Sequence, residues 1–253
     1  MTHKYGGRLI HAVRDEIGLI EVVETAGVRT LHFGNATRQS ALSIAEPDRV
    51  ELSYIRAMLM TLLFVPEPRN ALVLGLGGGS LAKFLLQHCP ACQNEVVEYR
   101  SGVPSVARRF FRFPTDHPRL TVHLEDCYAF VVDQAAAGQQ RYDHIHVDVY
   151  DGLGMAGSVF QHDFFSACKT LLASKGFLAI NLWGTHPESF RESMRVLNLY
   201  FTGQLLRLDV PGRGNVVIYA PGEAYVPPKP RQLDAIAQAL TVRTGIEFAR
   251  MAQ

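Results

Sequence analysis

The sequence predicts an α/β protein: a doubly wound, mostly parallel sheet of seven strands, preceded by a small antiparallel β meander. Three observations lead there. The all-apolar run Ala71–Leu74 breaks on Gly75, Gly77, Gly78 and Gly79, then turns helical through Leu81–His88. Beyond it, strand-length apolar runs alternate with helix-length segments as far as Tyr200. Before it, residues 8–34 hold β-branched, partly alternating runs separated by turn-forming pairs.

Taken in order, Arg8–Val13, Gly18–Glu24 and Val28–Phe33 read as the strands of the meander, broken near Asp15-Glu16 and Ala26-Gly27. Residues 35–49 read as polar and irregular. Val50–Phe64 reads as one mostly buried helix, stopped by Pro66 and Pro68. After the glycine turn come strands at Asn94–Glu98, Leu120–Leu124, His144–Val147 and Gly176–Asn181. The intervening helices are Val103–Phe111, Cys127–Ala135, Asp163–Leu172 and Pro187–Tyr200. Such alternation implies right-handed βαβ units and a parallel sheet. Gln204–Val210 and Asn215–Ala220 flank Pro211–Gly214 as a closing hairpin, and Arg231–Leu240 reads as an outer amphipathic helix. Strand–helix units closed by a hairpin match the class I S-adenosylmethionine-dependent, Rossmann-like sheet better than a dinucleotide fold. The expected organisation is an N-terminal β region over residues 1–50 and a Rossmann-like catalytic domain over 51–253.

Composition narrows the partners. The chain has 253 residues, 47% hydrophobic and 19% charged, which describes an ordinary globular protein. A net charge of +1 leaves no nucleic-acid or membrane-surface footprint in the totals. No run approaches the ~18 apolar residues of a membrane span, and Met1–Arg8 lacks a signal-peptide core, so a cytoplasmic protein is expected. Cys89 and Cys92 form a C-x-x-C, but Cys127 and Cys168 are isolated, so no zinc set is expected and the pair reads as inert connector cysteines. His123, His144 and His146 alternate within strands and read as satisfied core or sheet-face residues rather than ligands.

In a doubly wound sheet, ligands bind beyond the carboxyl ends of the strands. Acids stand at three successive ends. Glu98 follows the glycines by about 20 residues, the spacing at which a carboxylate reaches a ribose diol, and can also be read as a solvated strand end paired with Arg100. Asp126 follows the next strand, where it can accept from an adenine amino group or simply cap a helix. Asp148 and Asp151 follow the fourth, as a pair able to hold an amine and take its proton. The turn lacks a phosphate-binding lysine, which disfavours a nucleoside triphosphate. Tyr150 and Phe160 are candidate acceptor-side aromatics, Tyr150 reading equally well as core, and Trp183 falls at the same pocket edge.

These stretches resemble the spermidine synthase (polyamine aminopropyltransferase) family over roughly residues 20–200. The family's G-G-G-D-G turn appears here as Gly77-Gly78-Gly79-Ser80-Leu81, and its V-E-I-D as Val97-Glu98-Tyr99-Arg100. Its G-D-[AG] appears as Glu125-Asp126-Cys127, and its D-[SC]-T-D-P as Asp148-Val149-Tyr150-Asp151-Gly152. Gln39 and Tyr54 match its upstream pattern, with Ile55-Arg56 where His-Glu stands. The resemblance implies transfer of the aminopropyl group of decarboxylated S-adenosylmethionine to an amine, releasing methylthioadenosine, without a metal, in a dimer. It implies donor contacts from Gln39, Gly77, Gly78, Gly79, Ser80, Glu98, Asp126 and Cys127, acceptor contacts from Tyr54, Asp148 and Asp151, and Asp148 as proton acceptor. Ser80 departs from the Asp that grips the donor's amine, and Met155 from a nucleoside-contacting Pro. The runner-up is a methyltransferase using intact S-adenosylmethionine, and a third reading is a nucleoside-binding protein with weak activity.

Overall fold

A computed structural model describes residues 2–138, 141–150, 161–201, 205–212 and 214–251. Two sheets carry it. The first is antiparallel, five strands in the order β1 (His3–Lys4), β2 (Gly7–Arg14), β3 (Leu19–Thr25), β4 (Val28–His32) and β5 (Ser40–Ser43). β5 corrects the reading of residues 35–49 as irregular. All of Ser40–Ser43 is buried, so its polar residues serve the interior. The Ser40 hydroxyl accepts the Gly78 N–H at 2.7 Å, and Ser43 Oγ accepts the Glu46 N–H at 3.1 Å.

The run expected as one helix is two, α1 (Ser53–Met58) and α2 (Thr61–Phe64). Between them the ladder tightens to i→i−3 bonds, Met60 N–H to Ala57 and Leu62 N–H to Leu59. The Thr61 hydroxyl donates back to the Met58 carbonyl at 3.3 Å. Hydrophobicity runs straight through this break, so apolar periodicity alone does not mark it.

The second sheet has seven strands in the order β11-β12-β10-β9-β6-β7-β8. They are β6 (Asn70–Leu74), β7 (Gln93–Glu98), β8 (Leu120–Leu124), β9 (Tyr142–Val147), β10 (Leu172–Trp183), β11 (Leu206–Asp209) and β12 (Asn215–Pro221). β6 through β10 are mutually parallel, and β12 turns antiparallel against β10 with β11 beside it, the expected closing hairpin. The connecting helices are α3 (Ser80–His88), α4 (Val103–Phe111), α5 (Cys127–Ala136), α6 (His162–Leu171) and α7 (Pro187–Tyr200). α8 (Pro230–Thr244) and α9 (Phe248–Met251) close the chain. Apolar side chains of both sheet faces are buried, as near-continuous runs such as Ala71–Leu74 require.

Strand order reverses between β6 and β9, and that switch point places the site. There the chain leaves β6 through Gly75, whose φ is +94°. A Cβ at Gly75 would lie 2.3 Å from the Asp148 carbonyl oxygen, so only glycine lets the two strand ends approach. At Gly79, φ +79°, a Cβ would meet the Phe113 ring at 2.2 Å.

Cys89 and Cys92 sit past the end of α3, both buried. Burial pushes their thiols up to about 11 and about 12, so neither forms a ready thiolate. The Arg119 guanidinium donates to the carbonyls of Leu86, Cys89 and Cys92, satisfying the end of that helix. The histidines differ among themselves. His123 Nε2 lies 3.0 Å from Glu95. His144 and His146 are wholly buried, and burial holds both imidazoles below their ordinary pKa. Neither ring nitrogen of His146 has a protein partner among the described residues, so core placement holds for it but full satisfaction does not.

Candidate active site

A cavity of about 400 Å³ opens over the switch point, within the range of small-molecule sites. Gly75, Leu76, Gly77, Gly79, Ser80, Glu98, Asp126, Cys127 and Asp148 line it from the second sheet. Phe33, Gln39 and Ser40 come from the β4–β5 region, and Tyr54 with Ile55 from α1. Of the donor- and acceptor-contact residues picked out in sequence, the described ones thus converge, with Gly78 just behind the wall on Ser40, whereas Trp183 does not line the cavity. Asp151, Met155 and Phe160 lie outside the described residues.

Glu98 ends β7 and is buried. One carboxylate oxygen accepts the Leu76 N–H at 3.0 Å and the other accepts the Arg100 N–H at 2.8 Å. Burial pushes its pKa up, while the amides of Arg100, Leu76 and Gly77 favour the ionised form. Glu98 therefore fixes the glycine turn to the next strand while facing the cavity. It is neither a solvated strand end nor paired with the Arg100 side chain.

Arg100 turns away to the meander instead. Its guanidinium grips the Asp15 carboxylate at 2.6 and 3.1 Å and stacks over Phe33, 4.4 Å from the ring centre. Asp15 and Arg100 are both nearly inaccessible, so each is the other's compensation for leaving water. Burial works to raise the Asp15 pKa, and the Arg100 contacts outweigh it and hold the carboxyl below its usual range. This latch holds the β2–β3 turn, and with it Ile17, at the cavity mouth beside Tyr99.

Asp126 is the N-cap of α5, its Oδ1 accepting the Ala129 N–H at 3.0 Å, and it also lines the cavity. The cap bond engages one carboxylate oxygen, and the side chain stands at the cavity wall as well. Cys127, the first residue of α5, is buried under the same wall.

Asp148 follows β9 directly. Its Oδ2 accepts from the Tyr54 hydroxyl at 3.2 Å, and its Oδ1 from the Asn181 side-chain amide at 2.9 Å. The same hydroxyl lies 3.5 Å from the Gln39 carbonyl, and having one hydrogen it serves the nearer carboxylate. Enclosure raises the Asp148 pKa to about 6, against the pull of both donors. A carboxylate poised there can accept a proton near neutral pH. Burial, then the neighbouring Asp148 charge, keeps Tyr54 protonated well past its usual range.

Asn181, on β10, was not singled out in the sequence, yet its side-chain amide holds Asp148. It is 1% exposed within a strand of apolar neighbours, and its Oδ1 accepts from Asn215 Nδ2 at 3.0 Å. Tyr150 lines the cavity, donates to the Asn181 carbonyl at 2.7 Å and lies 5.9 Å from the Trp183 ring. Its hydroxyl thus has a structural partner. Ile55 lines the cavity, whereas Arg56 donates to the carbonyls of Val50 and Glu51, away from it.

The spermine/spermidine synthase domain matches residues 53–198, more than half of the chain. The chain belongs to that family. A polyamine aminopropyltransferase of Chromobacterium violaceum is 34% identical over 234 residues, covering 90% of this chain and 86% of the relative. The spermidine synthase of Thermotoga maritima superposes with a TM-score of 0.73 at 15% identity, covering 97% of this chain and 84% of its own, a likeness of fold. Human methyltransferase-like protein 13, in complex with SAH, gives a TM-score of 0.68 at 25% identity, covering 77% of this chain and 93% of its own. The family and the seven-stranded sheet expected from the sequence are thereby both found.

Proposed function

We propose that this transferase moves the aminopropyl group of decarboxylated S-adenosylmethionine to an amine acceptor, with Asp148 as proton acceptor. The observation that carries it is Asp148 itself, held by Tyr54 and Asn181 in one cavity with Glu98 and Asp126. Glu98 takes the ribose diol, Asp126 with Cys127 the adenine, and Gln39 and the glycine turn the remainder of the nucleoside. The amine nitrogen, held by Tyr54, Asp148 and Asp151, attacks the carbon beside the sulfonium. A C–N bond forms as the C–S bond breaks, its electron pair staying on sulfur to give neutral methylthioadenosine. The proton released by the new ammonium passes to Asp148, near its own pKa of about 6. The reaction needs in-line placement more than electrophilic help, which a close-walled cavity supplies. We take the enzyme to act as a cytoplasmic homodimer on a free amine, independent of nucleic acid and membrane, in keeping with its net charge of +1. Light scattering that gave a monomer mass would remove the dimer from this reading.

One observation favours a second reading. Ser80 opens α3 at the cavity wall, and the helix has no acid in its first turn. A neutral hydroxyl neither attracts the donor's ammonium nor repels the carboxylate of intact S-adenosylmethionine, the methyl donor of the alternative reaction. The two donors are separated by giving the enzyme equal amounts of each with a panel of amines and identifying the nucleoside product. Methylthioadenosine supports aminopropyl transfer, and S-adenosylhomocysteine supports methyl transfer. Ser80→Asp is expected to raise kcat/KM for the decarboxylated donor relative to the intact one by about tenfold or more, the worth of one charged hydrogen bond. An unchanged ratio would mean that residue 80 does not meet that end of the donor.

A further inference from the structure

We propose that Asn215 is a positioning residue for the proton acceptor: through Asn181 it fixes which atom of a buried amide faces Asp148. The inference rests on the reading of Asp148 just given and extends it to a strand that contributes nothing to the cavity wall.

The argument is one of hydrogen-bond direction. An ionised carboxylate only accepts, so Asn181 has to present its Nδ2 to Asp148, as it does at 2.9 Å. Its Oδ1 must then point the other way, into a buried position where an unpaired acceptor is costly. Asn215 meets that oxygen with its own Nδ2 at 3.0 Å. The two residues sit on antiparallel neighbours, β10 and β12, where Asn181 is opposite Val217 and Trp183 is opposite Asn215. Asn215 thus approaches diagonally, from two residues along the partner strand, and Asn181 is held from its far side. Tyr150 fixes the same residue by its backbone, donating to the Asn181 carbonyl at 2.7 Å.

Without the Asn215 donor, only the ionised Asp148 carboxylate holds the Asn181 amide in this orientation, at the cost of leaving the buried Oδ1 unpaired. Turned over, it would set its oxygen against the carboxylate and favour the protonated acid. Among the described residues the cavity wall offers no free cation, since its arginine, Arg100, is bound to Asp15. Tyr54 from α1 and Tyr150 from the same segment are neutral phenols, and His146, two residues back on β9, is a buried neutral imidazole. Across the cavity stand the acids Glu98 and Asp126, and no lysine or arginine among the described residues bonds to Asp148.

The test is titration of the Asp148 carboxyl by 13C NMR, assigned with Asp148→Asn, in variants checked for unchanged folding by thermal melting. The wild-type carboxyl is expected to titrate at about 6. Asn215→Leu is expected to move it upward by about one unit or more, whereas Asn215→Ser, which keeps a donor, stays within about half a unit. Should the leucine variant not fold, the smaller Asn215→Ala, which removes the donor without adding a charge, is expected to move it upward likewise. With an amine acceptor, the acid limb of the kcat/KM profile follows the titration while the donor KM holds. An unmoved carboxyl in Asn215→Leu, or a serine variant that moves as far as the leucine one, overturns the proposal. The titration needs no turnover, so an enzyme inert towards every donor and amine would count against the proposed function and leave this result standing.

Discussion

Asp148→Asn is expected to lower kcat by about 10²–10⁴-fold, the usual contribution of a positioned proton acceptor, with little change in donor KM. Asparagine keeps the size of the side chain and can still accept from Tyr54 or Asn181, so the cavity should persist while its base is gone. The same substitution has a second, opposite signature in stability. Burial raises the Asp148 pKa in the folded protein to about 6, above the usual carboxylate range. The folded state thus binds this proton more tightly than the unfolded chain. Relative to the ionised form, the protonated form favours folding. That contribution is fully present below the unfolded carboxyl pKa of ~4 and is lost as pH rises through about 6. Removing the ionisable group should therefore stabilise the protein above pH 6 by up to about 2–3 kcal/mol, and do nothing at low pH. Melting curves of both forms across that window check the sign. A variant that loses activity and stability together at pH 8 would place Asp148 in the framework instead of in the chemistry.

Glu98→Gln is expected to act on the other substrate parameter. The carboxylate is committed on both oxygens to backbone amides, Leu76 in the glycine turn and Arg100 beyond β7. Glutamine has only one acceptor oxygen, so one of those amides would meet an NH2 group, donor against donor. The ribose would also lose a charged acceptor. Two weakened charge-assisted bonds at about 1.5–3 kcal/mol each correspond to a rise in donor KM of about 10²-fold or more, with kcat at saturation much less affected. Kinetics at varied donor concentration separate this from the Asp148 effect. If kcat collapsed and KM stayed put, Glu98 would be acting on the transition state alone and the nucleoside assignment would fail.

The elements legible in the sequence are those whose period and punctuation agree. Ala71–Leu74 followed by glycines could only be a buried strand leaving through a tight turn, and the alternation after it carried the sheet. The acids at the ends of β7 and β9 were legible for the same reason, because the ends of parallel strands are where ligands sit. What escaped was polar structure inside apolar context. Ser40 looks like loop until its hydroxyl is seen holding the Gly78 amide, and β5 was missed with it. Asn181 sits in the run Gly176-Phe-Leu-Ala-Ile-Asn181, where a single buried amide among aliphatics was the available signal. Its partner Asn215 lies 34 residues away in sequence, and antiparallel register alone brings the two together. Arg100 showed the converse. A neighbour two residues from Glu98 suggested an ion pair, but the β2–β3 turn supplied Asp15 in better geometry. The break between α1 and α2 left no glycine or proline to read.

Ser80, Ile55 and Arg56 are positions where this chain departs from the family pattern, and the resemblance assigns them to what lies beyond the adenosine. Ile55 gives the cavity an apolar wall, and Arg56 is spent on backbone carbonyls. Gln39, Glu98, Asp126 and Cys127, which the resemblance assigns to the nucleoside, line one cavity, so the identity of the transferred group is the decisive point. Incubating the purified protein with decarboxylated S-adenosylmethionine and an amine panel, then weighing the amine products by mass spectrometry, tests it directly. The expected result is an amine heavier by one aminopropyl unit, formed in step with methylthioadenosine. An amine heavier by one methyl group from intact S-adenosylmethionine, with no aminopropyl product from the decarboxylated donor, would contradict it.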